Sequence, residues 1–436
     1  MRRAQRSNFV FIIADDLGYA DLGCYGGRSK CSPSLDRMAR EGLRFTQGYA
    51  NSSVCSPTRF ALMTGRWQHR LRGGADEPIR SGPARGDPRL GLPPAHPTLP
   101  SLLRDAGYAT ALVGKWHLGF PPHFGPLKSG YQEFFGMLSG AQDYFSHRDP
   151  GGVHDLFDGE REVFRKGYLT DLITERAVEF LSRERENPFL LSVHYNAPHW
   201  PWETRADAAE SRRIGKIYHF DGGSLATYLT MVRQMDEGIG RILSVLKKLK
   251  IEKNTLVVFT SDNGGERYSD TWPLVGKKMD LLEGGIRVPY IVRWPAVVKK
   301  GGVTAQHAVT MDWVATMLDA AGVSPDRNYP LDGRSLLPVL KNPNKTFARD
   351  LYWKMLYREQ KALRSGDWKY FSVEGNEFLY NLASDERERA NHAKRAPKLF
   401  SLLREKFSAW EAQLPTHPDA AYSVPATPAD MATPSS

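Results

Sequence analysis

The chain has 436 residues, a formal net charge of +10, 41% apolar residues and 25% charged residues. That apolar share excludes a disordered chain, and the length suits one large domain plus a small one. Three cysteines are too few for a disulfide framework, no apolar stretch is long enough to span a bilayer, and no zinc-finger or RNP motif supports nucleic-acid binding.

Residues 8–14 (NFVFIIA) form a near-continuous apolar run, as a strand buried on both faces requires. The run directly follows a short basic stretch, with no longer apolar region and no small-residue cleavage site. It reads as the first strand and not as a signal peptide. The expected location is therefore cytoplasmic as written, or periplasmic or secreted if a signal has been removed. Residues 34–40 read as a helix between Pro33 and Gly42, and 59–64 as a helix ended by Gly65. Thr98 can cap a helix that ends at Gly107, with a strand over 108–113. An amphipathic helix over 169–183 precedes a strand over 189–194. Residues 225–249 repeat apolar positions at helical spacing and form the longest helix. Strands over 255–261 and 288–294 and a helix over 310–321 follow. The alternation predicts an α/β fold, a large mostly parallel sheet covered by helices on both faces. Sites in such sheets lie beyond the carboxyl ends of the strands.

The pattern changes near Lys341. Short strands at 351–355, 361–364, 368–373 and 378–380 are separated by turns such as Ser365-Gly366-Asp367 and Glu374-Gly375-Asn376. A helix over 397–413 follows, then a Pro-, Ala-, Thr- and Ser-rich tail after Pro415 that is expected to be loosely held. The expected division is a catalytic α/β domain over 1–345 and a small C-terminal α+β subdomain over 346–436, with a short antiparallel sheet and a helix.

Four clusters carry chemistry. Asp15-Asp16 and Asp262-Asn263 each follow a strand. Alone, the first reads equally as a solvated loop or helix cap and the second as an Asx turn. Together they are an all-oxygen ligand set, which suits calcium, with magnesium second; zinc would draw on His or Cys. Lys115 and His117 follow the strand ending at Val113, and alternation puts both on one face if that strand continues. His199, and Lys278 beside Lys277, add further cationic groups. Each alone reads as an ordinary surface charge. Around an acidic metal cluster they become what a tetrahedral oxyanion needs. The net positive charge likewise favours anionic partners. Cys24 and Cys31 either pair or remain two free thiols. Asp143, Tyr144, His147, Arg148, Trp200 and Trp202 line a sugar or aryl pocket, or pack in the core.

The fourth cluster is Cys55-Ser56-Pro57-Thr58-Arg59. With Ala14-Asp15-Asp16-Leu17-Gly18, Gly114-Lys115-Trp116-His117-Leu118-Gly119, Ala197-Pro198-His199, Ser261-Asp262-Asn263-Gly264-Gly265 and Lys278 before Glu283-Gly284-Gly285, it resembles the type I sulfatases of the alkaline phosphatase superfamily. Order and approximate spacing match across residues 8–289, and more loosely beyond. The segment from Gly140 to His147 resembles the arylsulfatase B group.

The resemblance implies hydrolysis of aryl or sugar sulfate monoesters, an anionic substrate class. It implies that a separate formylglycine-generating enzyme oxidises Cys55 to formylglycine, whose aldehyde hydrates to a gem-diol. Asp15, Asp16, Asp262 and Asn263, with the modified Cys55, would hold calcium. Arg59 and Lys115 would hold the diol and the sulfate oxygens, and Asp262 would accept the nucleophile's proton. Lys278 or His199 would protonate the leaving alcohol, and His117 would take the proton that releases sulfate. Two other functions fit the same residues: a phosphonate monoester or phosphodiester hydrolase of this superfamily, and a non-catalytic binder of sulfated ligands.

Overall fold

The computed structural model describes residues 6–71, 79, 82, 85–214 and 222–415; the tail expected after Pro415 lies outside the described residues. In chain order the strands of the first part are β1 (Asn8–Ala14), β2 (Leu43–Phe45), β3 (Gly48–Tyr49), β4 (Ala109–Lys115), β5 (Glu133–Met137), β6 (Phe157–Asp158), β7 (Arg161–Glu162), β8 (Phe189–His194), β9 (Thr255–Ser261), β10 (Tyr290–Arg293), β11 (Gly302–Thr304) and β12 (Ala308–Val309). Ten of them make one sheet in the order β11-β2-β10-β9-β1-β8-β4-β5-β6-β7, and β12 pairs with β3. The central block β9-β1-β8-β4-β5 is parallel, while β10 runs antiparallel to both of its neighbours.

Every residue of β1 is buried, and its two faces feed different cores. Val10, Ile12 and Ala14 pack with the helices Pro33–Glu41, Leu169–Ser182 and Leu225–Lys248. Phe9, Phe11 and Ile13 pack with Cys55–Thr64, Leu99–Asp105 and Asp312–Ala321. This is why the run is apolar throughout rather than alternating.

Several boundaries differ from the sequence expectation. The helix expected from residue 59 begins at Cys55, because Val54 is extended and Pro57 sits in the first turn, where its missing N–H costs nothing. The strand expected to end at Val113 runs to Lys115. Gly114 reads as a stop but serves a close approach: a Cβ there would lie 1.9 Å from the His194 carbonyl oxygen. The strand expected over 288–294 is confined to Tyr290–Arg293. Cys24 and Cys31 are free thiols, as is Cys55. Among the described residues no helix is long and apolar enough to cross a membrane.

A second, antiparallel sheet joins β13 (Asp350–Met355), β14 (Gln360–Ser365), β15 (Trp368–Val373) and β16 (Asn376–Asn381) in that order, and the helix Pro397–Glu411 packs on it. The same core includes Tyr49, Val54, Ala61, Met279, Leu281 and Ile286 from the larger part of the chain. A buried ion network reinforces the seam. Lys369 Nζ lies 3.1 Å from Glu283 Oε1 and 2.8 Å from Glu388 Oε1, with all three side chains fully buried. Tyr49 donates to Glu283 Oε2 at 2.7 Å, and the Glu283 N–H donates to Glu388 Oε2 at 2.6 Å. Glu283 thus fastens the two sheets together. Replacing Lys369 by Met would leave Glu388 buried without its cation and Glu283 with only the longer contacts to Arg364 at 3.5 Å and Arg287 at 3.8 Å. The expected loss is about 3–5 kcal/mol of stability, read from urea unfolding.

Candidate active site

The site is built by strand register. In β9-β1-β8-β4 the parallel strands end side by side, with Ala14 opposite Ser261 and Gly114 opposite His194. The next residues out are therefore neighbours: Asp15 and Asp16 after β1, Asp262 and Asn263 after β9, and the turn to His199 after β8. Lys115 closes β4. Asp262 N–H donates to the Ala14 carbonyl at 3.1 Å, and Asp15 N–H to the Ala197 carbonyl at 3.1 Å. Two side chains here leave a left-handed backbone, Asp16 (φ 62°) and His117 (φ 56°), a conformation costly outside glycine and concentrated at functional sites. Lys115 and His117 reach the same pocket, although the strand that was expected to align them stops at Lys115.

Cys55 is the first residue of its helix and is 3% exposed. The helix start leaves N–H groups without intrahelical partners, which favours negative charge there. Thr58 Oγ1 accepts from Ser52 N–H at 2.9 Å and donates to the Ser52 carbonyl at 3.1 Å, fixing the turn that delivers Cys55. Cys55 Sγ lies 3.4 Å from Asp15 Oδ1. Burial, and then Asp15, push its thiol well above the usual range.

The acids are neutralised one by one. Arg59 grips Asp262 Oδ2 through Nε at 3.1 Å and Nη2 at 2.8 Å, and its Nη2 is 4.0 Å from Asp15 Oδ2. Lys115 Nζ donates to Asp15 Oδ2. Lys278 Nζ donates to Asp16 Oδ2 at 2.8 Å. Burial alone would raise the Asp16 carboxyl, but Lys278 and His199 outweigh it and hold it well below the ordinary range. Burial raises Asp262, and Asp15 adds to the rise against Arg59.

The histidine tautomers follow from their partners. His199 Nδ1 faces the Trp200 carbonyl at 2.7 Å and must carry the proton, so Nε2 accepts from Lys278 Nζ at 3.2 Å. His117 Nε2 faces the Ile79 carbonyl at 2.8 Å and likewise carries its proton, leaving Nδ1 buried with a free lone pair. Burial, then Lys278 for His199 and Lys115 for His117, lowers both imidazoles well below their usual range. His194, which was not singled out from the sequence, adds a third buried ring, with Nδ1 3.1 Å from the Lys115 carbonyl.

Asp15, Asp16, Cys55 and His199 each bring a ligand atom within 4.8 Å of the others. Asp262 lies outside this group; Arg59 holds its Oδ2, and its Oδ1 accepts from Asp16 N–H at 3.3 Å. Asn263 donates through Nδ2 to Asp16 Oδ1 at 2.7 Å, and its Oδ1 is buried without a partner. An orphaned amide oxygen beside two buried carboxylates fits a hard cation.

The expected pocket residues divide. Asp143 is buried and accepts from Phe145 and Ser146 N–H and from Ser211 Oγ. Tyr144 is fully buried and donates to the His199 carbonyl at 2.8 Å, so it supports the histidine's turn. His147 and Trp202 are buried as well, 1% and 2% exposed. Trp200 is half-buried, its ring 4.6 Å from that of His199.

A buried pocket that balances three acids with three cations suits a small tetrahedral anion and holds a proton donor beside it. That is the equipment of a hydrolase of anionic esters. Residues 7–323 match the Sulfatase family profile, and 272–407 match the profile described as N-sulphoglucosamine sulphohydrolase, C-terminal. Pig N-acetylgalactosamine-6-sulfatase is 34% identical over 381 residues, covering 80% of this chain and 69% of that protein. The N-acetylglucosamine-6-O-sulfatase of Bacteroides thetaiotaomicron is 27% identical over 508 residues, covering 92% and 86%. The crystal structure of Ps i-CgsB with k-i-k-neocarrahexaose superposes with a TM-score of 0.84 at 30% identity, covering 94% of each chain. The chain belongs to the sulfatase family and is a sulfuric ester hydrolase.

The burial of Cys55 has a direct chemical consequence. In folded protein that retains the thiol, iodoacetamide should leave Cys55 unlabelled at neutral pH and label it after denaturation, as read by peptide mass spectrometry.

Proposed function

We propose that the protein hydrolyses O-sulfate esters of sugars, with Cys55 matured to formylglycine and a calcium ion held by Asp15, Asp16 and Asn263, with Asp262 at their edge. The observation that carries this reading is the placement of Cys55 Sγ 3.4 Å from Asp15, at a helix start, within a closed ring of cationic side chains. The names N-acetylgalactosamine-6-sulfatase and N-acetylglucosamine-6-O-sulfatase favour a sugar as the alcohol. They also favour sulfate over phosphonate or phosphodiester substrates, and turnover over mere binding. The hydrated aldehyde supplies the nucleophilic oxygen, and the cation neutralises charge on the ester.

The chain's own residues do the rest. Arg59 and Lys115, both fully buried, face the sulfate oxygens with charge that water cannot screen. Asp262 accepts a proton from the nucleophile. His117 Nδ1, a buried lone pair, accepts the proton whose removal releases sulfate. Lys278 keeps its proton: burial opposes the charge, but Asp16 outweighs burial and holds the ammonium well above its usual range. Lys278 is therefore the donor to the leaving oxygen. His199 orients it through the 3.2 Å contact to Nε2.

A nitrophenolate leaves without a proton, whereas a sugar alkoxide needs one. Lys278→Ala should slow a sugar sulfate on the order of 10²–10⁴-fold more than nitrophenyl sulfate. The rates are to be measured where chemistry limits turnover. Equal losses on both substrates would refute Lys278 as the donor. For the metal, elemental analysis of active protein should return calcium, and Asp16→Ala should lose it together with activity; zinc alone would overturn the assignment. The Cys55 peptide of active protein, made with the maturing enzyme present, should carry the mass of the aldehyde.

A further inference from the structure

The loop after β9 carries a carboxylate that none of the steps above uses. Gly264 and Gly265 pass through space that holds no side chain: a Cβ on Gly264 would lie 2.0 Å from the Gly284 carbonyl oxygen, and one on Gly265 1.7 Å from Ser269 Oγ. Lys278 N–H donates to the Gly265 carbonyl at 2.9 Å, which closes the loop and sets Glu266 beside Lys278. Yet Lys278 spends its ammonium elsewhere, on Asp16 at 2.8 Å and on His199 at 3.2 Å. Glu266 Oε2 is buried and receives no hydrogen bond. Burial raises the carboxyl, with Lys278 opposing and Asp16 adding to the rise.

A buried carboxylate oxygen without a donor is costly unless something brings one. Lys278 faces the leaving oxygen, so its neighbour lies within reach of the groups attached to the leaving alcohol. Ring hydroxyls of a sugar are donors, and a simple aryl alcohol has none to offer. We propose that Glu266 is a specificity-determining residue that accepts a hydrogen bond from a ring hydroxyl of the leaving sugar. This rests on the proposed sugar-sulfate function.

The test separates this role from mere support of Lys278. The parent substrate is whichever of N-acetylgalactosamine 6-sulfate and N-acetylglucosamine 6-sulfate the wild type turns over faster. Its monodeoxy analogues keep the same kind of alkoxide leaving group. Wild type should lose about 10- to 100-fold in kcat/KM on one of these analogues, the range for a hydrogen bond to a charged acceptor. In Glu266→Ala that penalty should vanish. In Glu266→Gln, which keeps an acceptor without the charge, it should shrink. A penalty that persists undiminished in both variants overturns the proposal, as does a wild type that pays no penalty at any ring position. If Glu266 only supported Lys278, parent and analogues would slow together with the penalty intact, which also overturns it. Wild-type turnover of nitrophenyl sulfate in the same assay reports on the sulfatase reading by itself.

Discussion

The structure depends on placing three carboxylates where water cannot reach them. Asp15, Asp16 and Asp262 are each at most 2% exposed. A buried charge is tolerated only when paired, and removing one partner of such a pair costs about 3–5 kcal/mol. The acids come from two adjacent strands in one register, so they arrive together. Their cations come from three separate elements: Arg59 from a helix, Lys115 from the end of β4, and Lys278 from a loop. Each cation hydrogen-bonds its own carboxylate: Arg59 holds Asp262, Lys115 holds Asp15 and Lys278 holds Asp16. The pocket therefore closes only when the parallel sheet, the helix from Cys55 and the loop to Lys278 are all in place. Catalytic geometry and folding are bound to the same interactions.

That balance bears on what the pocket accepts. Arg59, Lys115 and Lys278 match Asp15, Asp16 and Asp262 in charge, so these six side chains carry no net charge. A divalent cation among Asp15, Asp16 and Asn263 would leave the pocket positive, and an anionic ester would restore the balance. The upward push on Asp262 by burial and Asp15 is the mark of acids crowded beyond the cations that serve them. A neutral ester would bring no such compensation. A further positive charge on His117 or His199 is disfavoured first by burial and then by Lys115 and Lys278 respectively.

How much of this was legible beforehand follows from the physics of each segment. β1, β8 and β9 were readable to the residue because strands buried on both faces must be apolar throughout. β5 was not, since Glu-Phe-Phe-Gly-Met is short and carries a glycine that serves backbone packing against Gly114. The first turn of the helix at Cys55 was hidden because Cys-Ser-Pro-Thr has no helical periodicity; the turn is set by Val54 and Thr58. The acids, bases and cysteine of the pocket stood out through their motifs. Glu266 has no pattern in one dimension, because the absence of a partner is a property of space. Glu283 shows the converse. It lies within a family motif, yet its carboxylate is spent on Tyr49 and Lys369, far from any role in proton transfer.

The small sheet reaches Lys278 through the backbone. Lys278 N–H is tied to Gly265 on one side. On the other, Met279 N–H donates to the Ser53 carbonyl at 3.1 Å, two residues before Cys55. Gln360 of β14 donates through Nε2 to the Met279 carbonyl at 2.7 Å and accepts from Leu281 N–H at 2.9 Å. Lys278 is thus clamped between the loop after β9, the turn that delivers the cysteine, and the C-terminal sheet. Positioning groups at a reacting bond must hold to well under an ångström, and a side chain as flexible as lysine reaches that precision only if its backbone is fixed. The buried Glu283–Lys369–Glu388 network supplies that fixity. It pins the second sheet against the segment just after Lys278, and so makes that sheet part of the frame that holds Lys278.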